Sequence, residues 1–434
     1  MSEASVARGH GTRVVVTGIG LITPLGGTAS ATWDGFISGM NGAVALGEGF
    51  DDLPISIAAP AALDPLDVLP RAQARTMNRS TQFAVIAARE AWSDAGLDRL
   101  DQQAVDPDRL GVSVGTIIGG APVFADASHV LRDKGPRRVS PHTAPMTVPN
   151  EGAARIAIDL GVRGEARTVV SACASGSEAI GQAIDRIRLG HVDVVVAGGT
   201  EACINRTIMA AFASMRALSV GADGPKRASR PFDRDRDGFV LGEGAGLLIL
   251  ESEEHARRRG ARVYCEAAGW GISADAHHMT APRPDGSGVL AALRKALADA
   301  GATVDDVAHV NAHATATPQG DLAEAVALRA LLGDRGARDV PVTAPKGAIG
   351  HLQGAAGGVE AGLAVLTAHH ELIPPTVGLE HPDDDLGLDV VTGNPRPLPA
   401  DRDILLSNSF GFGGHNAVLA FRRLGRGGNH RTIR

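Results

Sequence analysis

Aromatic residues are scarce in this sequence: only 3% of its 434 residues are Phe, Trp or Tyr. A chain with so few rings offers little for stacking on nucleic-acid bases. It also has no excess of positive charge, because its formal net charge is -7 at pH 7. Both features argue against nucleic acid as a general partner.

Cysteine is scarce as well. The three cysteines, Cys173, Cys203 and Cys265, are widely spaced and odd in number, so the sequence shows neither a disulfide framework nor a metal-ligand pair. This usage predicts a reducing compartment, which we take to be the cytoplasm. No apolar run approaches the length that spans a membrane, and we expect no membrane insertion.

Short β-branched runs alternate with helical patterns along the whole chain. Strands are predicted at 13–19, 110–118, 167–172, 193–199, 246–251, 263–273, 307–315 and 404–414, and helices at 80–96, 176–190, 288–301, 321–333 and 357–370. Such alternation predicts α/β layering with parallel strands. Since both halves show it, we expect an internal duplication with one unit at 12–262 and a second at 263–425.

Cys173 stands where an apolar run gives way to a helical pattern. A free cysteine is usually an inert core residue, and we interpret Cys203 and Cys265 in that way. Cys173 differs because its neighbours are small and a helix follows, so a thiolate there would face unpaired backbone N–H groups and the positive end of the helix dipole. Cys173 is therefore a candidate nucleophile.

Two histidines lie in loops of small residues. His313 follows a predicted strand in "NAHATATPQGD" (311–321), and His351 lies in "APKGAIGHLQGAAGGVE" (344–360), between Lys346 and Glu360. With 15 histidines in the chain, surface or core positions are the ordinary interpretation, but glycine-rich surroundings leave space around both rings. The loop "SNSFGFGGHN" (407–416) could direct backbone N–H groups inward as an oxyanion site.

These segments occur in a fixed order: "SACASGSEAI", "NAHATATPQGD", "PKGAIGHLQGAAGGVEA" and "SNSFGFGGHNA". Together with "SRPFDRDRDGFVLGEGAG" (229–246), they resemble the β-ketoacyl-[acyl-carrier-protein] synthases over roughly residues 13–422. The likeness is closest to the synthase II type of bacterial fatty acid synthesis, especially actinobacterial members. It implies a thiolase-like duplicated fold, layered α-β-α-β-α, with two mixed, mainly parallel sheets.

The resemblance also implies roles for individual residues. Cys173 matches the acyl-accepting nucleophile, His313 and His351 the catalytic histidine pair, and Lys346 with Glu360 a buried ion pair beside them. Phe412 matches a gatekeeper phenylalanine whose N–H forms the oxyanion hole with that of Cys173. Thr315 and Thr317 match the threonines that hold the phosphopantetheine arm, while Ile118 and Phe410 match substrate-binding positions. Asn311, Glu360, Ser407 and Asn408 resemble a structural monovalent-cation site of some members; we expect no other metal.

The implied activity is a decarboxylative Claisen condensation. An acyl chain passes from acyl carrier protein to Cys173, and malonyl-acyl carrier protein then gives a 3-oxoacyl product and CO2. The enzyme itself holds no cofactor, since phosphopantetheine belongs to the carrier. The resemblance further implies a homodimer and a carrier-docking surface that contains Arg71, Arg75, Arg137, Arg138 and Arg216, although any one of these is equally well an ordinary solvated arginine.

Several alternatives remain open on the sequence. A polyketide or specialised-lipid ketosynthase would use the same residues, whereas a non-catalytic chain-length partner would lack the nucleophile. A degradative thiolase needs a second cysteine late in the chain, and "GFGGHN" has none. A Cys–His hydrolase would have to admit water to the acyl-enzyme. Ala314, Ala316, Gly347 and His415 depart from the common family pattern without removing a reacting group.

Overall fold

The computed structural model describes residues 11–99 and 105–425. The strands in these ranges are β1 Val14–Ile22, β2 Val44–Ala45, β3 Ile57–Ala59, β4 Leu110–Gly115, β5 Glu165–Val169, β6 Val194–Ala202, β7 Leu241–Ser252, β8 Cys265–Ala274, β9 Val307–Asn311, β10 Pro341–Thr343, β11 Leu372–Ile373, β12 Asp389–Val390, β13 Arg396–Pro397, β14 Ile404–Gly411 and β15 His415–Arg423. The helices are α1 Ala29–Ile37, α2 Arg71–Ala74, α3 Arg79–Asp94, α4 Ala121–Lys134, α5 Thr143–Thr147, α6 Glu151–Leu160, α7 Ser175–Arg188, α8 Arg206–Ser214, α9 Glu253–Arg258, α10 Ser287–Asp299, α11 Pro318–Asp339, α12 Lys346–Ile349 and α13 Ala356–His370.

The main strands repeat one topology. The first unit has the spatial order β1-β7-β6-β4-β5 and the second has the order β8-β15-β14-β9-β10. In the first unit, β4 is parallel to β5 and β6, and β7 is antiparallel to β1 and β6. In the second unit, β9 is parallel to β10 and β14, and β15 is antiparallel to β8 and β14. This common order confirms the predicted internal duplication.

The two units are joined edge to edge by a short ladder. Strands β1 and β8 pair through only Val15 with Glu266 and Val16 with Cys265. The two expected sheets are therefore connected by hydrogen bonds into one continuous sheet of 13 strands among the described residues, with β12 at one end and β5 at the other.

Helices form three layers around these units. Helices α7 and α13 contact strands of both units and each other, so they form the central layer. Helices α3 and α6 cover the outer face of the first unit, and α10 and α11 lie on the second. The predicted α-β-α-β-α layering is confirmed. Among the described residues, each helix lacks the length or the apolar content that a bilayer crossing needs.

The central layer depends on small residues. In α13, residues 356–368 are all buried, as expected for a helix surrounded by protein on every side. A side chain added at Gly358 would place its Cβ 2.3 Å from the carbonyl oxygen of Gly246, and one at Gly176 would lie 2.6 Å from the nitrogen of Gly358. Close approach of α7, α13 and the first unit therefore requires glycine at these positions.

Most predicted elements agree with the structure to within a few residues. The apolar face of α7 that contains Ile180, Ile184 and Ile187 is buried, as its spacing predicts. One helix differs, because α11 continues to Asp339 beyond a kink at Gly333, where φ is 74°. The unit boundaries at 12–262 and 263–425 stay a prediction.

Candidate active site

Cys173 lies in a tight turn between β5 and α7. The preceding residue, Ala172, has φ 49°, in the left-handed region that residues with a side chain seldom adopt. Ser175 stabilises this turn, because its hydroxyl accepts from the N–H of Ser171 at 2.8 Å and donates to the carbonyl of Ala172 at 2.5 Å. The turn aims the thiol of Cys173, which is 5% exposed, into a cavity of about 430 Å³.

Burial dominates the electrostatics of this thiol. It raises the pKa of Cys173 to about 12, although the charge of Lys346 and the backbone N–H groups of Phe412 and Cys173 itself act in the opposite direction. These two N–H groups and the charge of Lys346 therefore do not outweigh desolvation in the free protein. Both N–H groups lie beside the sulfur, next to the place where an oxyanion would form on an acyl group attached to it.

The two histidine rings lie beside the cysteine in the same cavity. Nδ1 of His313 is 3.2 Å from Nζ of Lys346, a donor, and Nδ1 of His351 accepts the backbone N–H of Gln353 at 3.3 Å. Because each Nδ1 faces a donor, each neutral ring carries its proton on Nε2. Burial is the main reason that the pKa of both histidines lies well below the usual value.

Lys346 and Glu360 form an ion pair in the protein interior. Nζ of Lys346 lies 2.5 Å from Oε1 of Glu360, and the two residues are 1% and 0% exposed. Burial raises the pKa of Glu360 to about 7, against the pull of the Lys346 charge. The same ammonium group reaches His313, so the pair fixes that ring as well as balancing charge.

Sequence reasoning missed two polar residues that hold this site together. Glu324, which is 1% exposed, accepts the backbone N–H groups of His313 and Ala314 and the side-chain amide of Asn408. Gln353 accepts the thiol of Cys173 at 3.7 Å. Glu324 stands eleven residues after His313 in α11 and Gln353 lies in a turn with φ 52°, and no local pattern marks either one.

Three of the four residues of the expected cation site are in contact, whereas the side-chain amide of Asn408 donates to Glu324. The amide nitrogen of Asn311 donates to the carbonyl of Glu360 and to the hydroxyl of Ser407, at 3.2 Å each. Two buried oxygens in this set, Oε2 of Glu360 and Oδ1 of Asn408, have no hydrogen-bond partner. Such orphaned oxygens fit a cation that prefers oxygen ligands. No cluster of three or more His, Cys, Asp or Glu suited to a metal occurs in the described ranges.

The remaining predicted residues are distributed around the cavity. Thr315, Thr317, Phe410, Phe412 and Arg216 line it. The hydroxyls of Thr315 and Thr317 lie 3.0 Å apart. Ile118 does not line this cavity; it packs in a neighbouring apolar cluster with Cys203, Met209 and Phe239. Phe239 connects the two regions, since its ring lines the cavity and contacts that of His351 edge to face at 5.3 Å.

The five predicted docking arginines are all exposed: Arg71, Arg75, Arg137, Arg138 and Arg216. Within residues 11–99 and 105–425, none of the five belongs to an ion pair. Arg71 lies in α2 and Arg75 directly follows it, whereas Arg137 and Arg138 follow α4. Only Arg216 of the set lines the cavity.

The structure shows the surroundings of three of the departures from the family pattern. A Cβ at position 347 would lie 2.0 Å from the carbonyl oxygen of Val377, so Gly347 is required sterically in this structure. His415 packs against the glycine loop, because a Cβ at Gly413 would lie 3.2 Å from its ring. Ala316 has φ 65° and is buried.

Comparison with known proteins assigns both halves of the chain to one family. Residues 11–256 match the family described as "Beta-ketoacyl synthase, N-terminal domain", and residues 264–380 match "Beta-ketoacyl synthase, C-terminal domain". The chain is 44% identical over 413 residues to a protein of Synechocystis named 3-oxoacyl-[acyl-carrier-protein] synthase 2, a match that covers 95% of this chain and 98% of the relative.

Solved structures agree with these matches. A β-ketoacyl synthase from Burkholderia phymatum superposes with a TM-score of 0.87 at 33% identity, covering 95% of this chain and 100% of that one. A type II polyketide ketosynthase, solved in complex with its acyl carrier protein, gives 0.87 at 30% identity, with 95% and 99% coverage. The fold is thus that of the thiolase-like ketosynthases.

Proposed function

Because this chain belongs to the β-ketoacyl synthase family, we propose that it lengthens acyl chains held on an acyl carrier protein by decarboxylative condensation, with Cys173 as its nucleophile. The observation that carries the proposal is a single cavity in which one thiol meets two imidazoles. In support, both rings have Nδ1 engaged by a protein donor, which leaves Nε2–H to act on substrate.

The first stage is acyl transfer. The sulfur of Cys173 attacks the thioester carbon of the acyl-carrier, and the N–H groups of Cys173 and Phe412 stabilise the oxyanion of the tetrahedral intermediate. The bond to the carrier sulfur then breaks, and the proton of the cysteine thiol passes to that leaving sulfur. The stage conserves charge, so an apo thiol with a pKa near 12 needs to ionise only as the reaction proceeds.

The second stage joins two carbons to the bound chain. Malonyl-carrier loses CO2, and the electron pair of the broken C–C bond becomes an enolate on the thioester. Nε2–H groups of His313 and His351 donate to the enolate oxygen. The carbanion carbon attacks the acyl carbonyl on Cys173, and the thiolate leaves and takes up a proton. The products are a 3-oxoacyl-carrier and CO2.

Lys346 is proposed to hold the site rather than to act as a base. Its ammonium group donates both to Glu360 and to His313, which fixes the ring orientation and balances a buried carboxylate. A monovalent cation would be held by Asn311, Glu360, Ser407 and Asn408. It would balance the negative charge of the Glu360 carboxylate. The enzyme is expected to need no other cofactor.

Carrier recognition is assigned to the cavity mouth and to the surface arginines. Thr315 and Thr317 offer hydroxyls to the pantetheine arm, and Phe410 and Phe412 line its path beside the thiol. Carrier proteins in such systems are acidic, so exposed unpaired arginines give a local attraction despite the overall charge of -7. The Synechocystis relative is named for the same carrier, and the polyketide relative binds one.

A homodimer is part of the proposal. Strand β5 is one end of the sheet, and an open edge strand invites pairing with another chain. Val170, which follows β5, is 56% exposed. A second copy placed against this edge would cover both features through a two-fold axis. The cytoplasm is the proposed compartment, because all three cysteines are free thiols.

A polyketide ketosynthase is the second candidate, favoured by the polyketide relative at 30% identity over 95% of this chain. A degradative thiolase has less support, since Cys203 and Cys265 are buried elsewhere and do not line the cavity. The deciding experiment supplies acyl-carriers of graded length with malonyl-carrier and measures products by mass. A single two-carbon extension fits fatty acid elongation, and repeated extension without reduction fits a polyketide. Release of free acid would indicate a hydrolase.

A further inference from the structure

Glu201 is a buried carboxylate that the proposed reaction does not use. It lies near the end of β6 and is 0% exposed. No basic side chain in the described ranges forms an ion pair with it, in contrast to Glu360, which pairs with Lys346. A carboxylate without a cation in such a place is costly unless hydrogen bonds compensate it, so its surroundings call for an explanation.

The groups around Glu201 are all donors. The backbone N–H of Ile117 donates to Oε2 at 2.6 Å, and the hydroxyl of Thr116 donates to Oε1 at 3.1 Å. Backbone N–H groups of Ile118 and Gly354 also stabilise the charged form. An ionised carboxylate satisfies four donors, whereas an amide or a protonated acid brings a hydrogen of its own towards them. The geometry is built for the carboxylate.

These donors come from two turns that meet behind the nucleophile. One turn, residues 116–119, contains Ile118 and is closed by the N–H of Gly119 donating to the Thr116 hydroxyl at 3.3 Å. The other contains Gln353, whose side chain accepts the thiol of Cys173. The turns touch at Gly354, where a Cβ would lie 2.7 Å from Oε2 of Glu201 and 2.8 Å from the nitrogen of Ile117.

We propose that Glu201 is a positioning residue that fixes the Ile118 turn and the Gln353 turn against each other, and thereby sets the position of the apolar cluster around Ile118, where the acyl chain would lie, relative to Cys173. The inference rests on the proposed role of Cys173. It connects two observations that are otherwise separate, because Ile118 lies in the apolar cluster beyond Phe239 and Gln353 lies at the sulfur. One carboxylate thus connects the apolar cluster around Ile118 with the sulfur of Cys173.

The charge on Glu201 adds a second effect. Burial contributes most to the raised pKa of Cys173, and the negative charge of Glu201 raises it further while Lys346 lowers it. Burial also raises the pKa of Glu201 itself to about 7, despite its four donors. Other titratable groups lie near Cys173 and Glu201. They are Cys203, whose pKa is raised by burial and by the charges of Glu201 and Glu243, and the neutral rings of His313 and His351.

Two substitutions separate position from charge. Glu201→Gln keeps the length of the side chain but removes the charge and places an amide N–H₂ against N–H donors. We expect the pH midpoint of Cys173 alkylation by iodoacetamide to fall, and the kcat/KM ratio for long-chain over acetyl carrier to drop by about tenfold, as for a methylene-sized change in an apolar pocket. Glu201→Asp keeps the charge, but its side chain is one methylene shorter. We therefore expect the kcat/KM ratio to change while the pH midpoint of alkylation stays the same.

Greater exposure of a loosened site would also lower the pH midpoint, because burial is the main cause of the raised pKa of Cys173. A fall in the midpoint for Glu201→Gln that is absent from Glu201→Asp therefore identifies the effect of the charge. Glu151→Gln is a control, since Glu151 is also buried and accepts a backbone N–H and a threonine hydroxyl, from Asn78 and Thr81. Unlike Glu201, it also lies 3.7 Å from an arginine, Arg155. Glu151→Gln should leave both readouts unchanged. Thr116→Val keeps the carboxylate and tests the same turn if the Glu201 variants do not fold; it should lower the chain-length ratio.

The inference is overturned if the folded Glu201 variants, or Thr116→Val in their place, keep the wild-type chain-length ratio. It is also overturned if Glu151→Gln changes that ratio equally. Failure of the proposed function has a different signature, because the wild-type protein itself would then form no acyl-Cys173 with any carrier.

Discussion

The rings of His313 and His351 lie edge to face, with centroids 5.4 Å apart and planes at 87°. Lys346 engages Nδ1 of the first and the Gln353 backbone engages Nδ1 of the second. Two donors on perpendicular rings can therefore approach one oxygen from two directions. Because burial keeps both rings neutral, each donates a hydrogen bond without giving up a proton, which suits an enolate better than a general acid would.

Replacing one of these donors should separate the two stages of the reaction. We expect His351→Ala to form acyl-Cys173 but to lose elongation by about 100- to 1,000-fold, the usual cost of removing one donor to a developing oxyanion. Mass spectrometry of the intact protein measures the acyl-enzyme, and product mass measures elongation. His191→Ala, on an exposed turn, is the control. Absence of acylation in His351→Ala would contradict the division of roles.

The charge of Lys346 should be visible in the reactivity of Cys173. Lys346 lowers the pKa of this thiol against the effect of burial. Removing the positive charge in Lys346→Met therefore raises the thiol pKa further, and each unit of increase slows alkylation at fixed pH by about tenfold. The direction is opposite to that expected for Glu201→Gln.

Lys346→Met alone would leave the buried carboxylate of Glu360 without its cation, so the comparison needs a second variant. Lys346→Met combined with Glu360→Gln avoids leaving Glu360 buried and unpaired, and Lys134→Met, on the exposed end of α4, controls for loss of a surface charge. A pH midpoint of alkylation that is equal in all these proteins would show that Lys346 does not act on the sulfur.

Charge reversal of the arginines should weaken carrier binding selectively. We expect Arg75→Glu with Arg216→Glu to raise KM for acyl-carrier by at least about tenfold, since local positive potential speeds encounter with an acidic partner. KM for a small acyl thioester should stay the same. Arg294→Glu changes an exposed arginine of α10 and serves as control. Equal effects on both substrates would remove these arginines from the docking surface.

Gly347 should resist even a small side chain. In Gly347→Ser the Cβ would lie 2.0 Å from the carbonyl oxygen of Val377, so we expect the free energy of unfolding to fall by about 1–3 kcal/mol, as for other overpacked sites. Chemical denaturation measures this change. A Cβ added at Gly47 would meet no atom within 4 Å, so Gly47→Ser should unfold at the wild-type denaturant concentration. Equal stability of the two variants would contradict the clash.

The strands and helices could be predicted because their patterns are local. The continuous apolar run of β6 and the one-sided face of α7 both follow from the spacing of their residues. The kink lies at Gly333, where the predicted helix 321–333 ends, but the continuation of α11 to Asp339 could not be predicted, since a glycine at the end of a helical pattern usually terminates it. The two-pair ladder between β1 and β8 is a property of how the units meet, which no local pattern encodes.

The proposed reacting residues stand out in the sequence for a different reason. Cys173, His313 and His351 lie in loops whose small residues and order along the chain are distinctive. Glu324, Gln353 and Glu201 are held by hydrogen bonds from distant segments, so their importance depends on tertiary contacts. The effect of burial on the pKa of Cys173 is likewise invisible until the packing around the sulfur is known.

The glycine contacts of the central layer limit where substrate range can change. A Cβ at Gly176 of α7 would clash with α13, and one at Gly358 of α13 would clash with β7, so that side of Cys173 cannot be remodelled by ordinary substitution. A second flank is the apolar cluster that contains Ile118 and Phe239, whose side chains can vary in size. Natural divergence or laboratory selection for new chain lengths must therefore act through that flank while the helical centre stays constant.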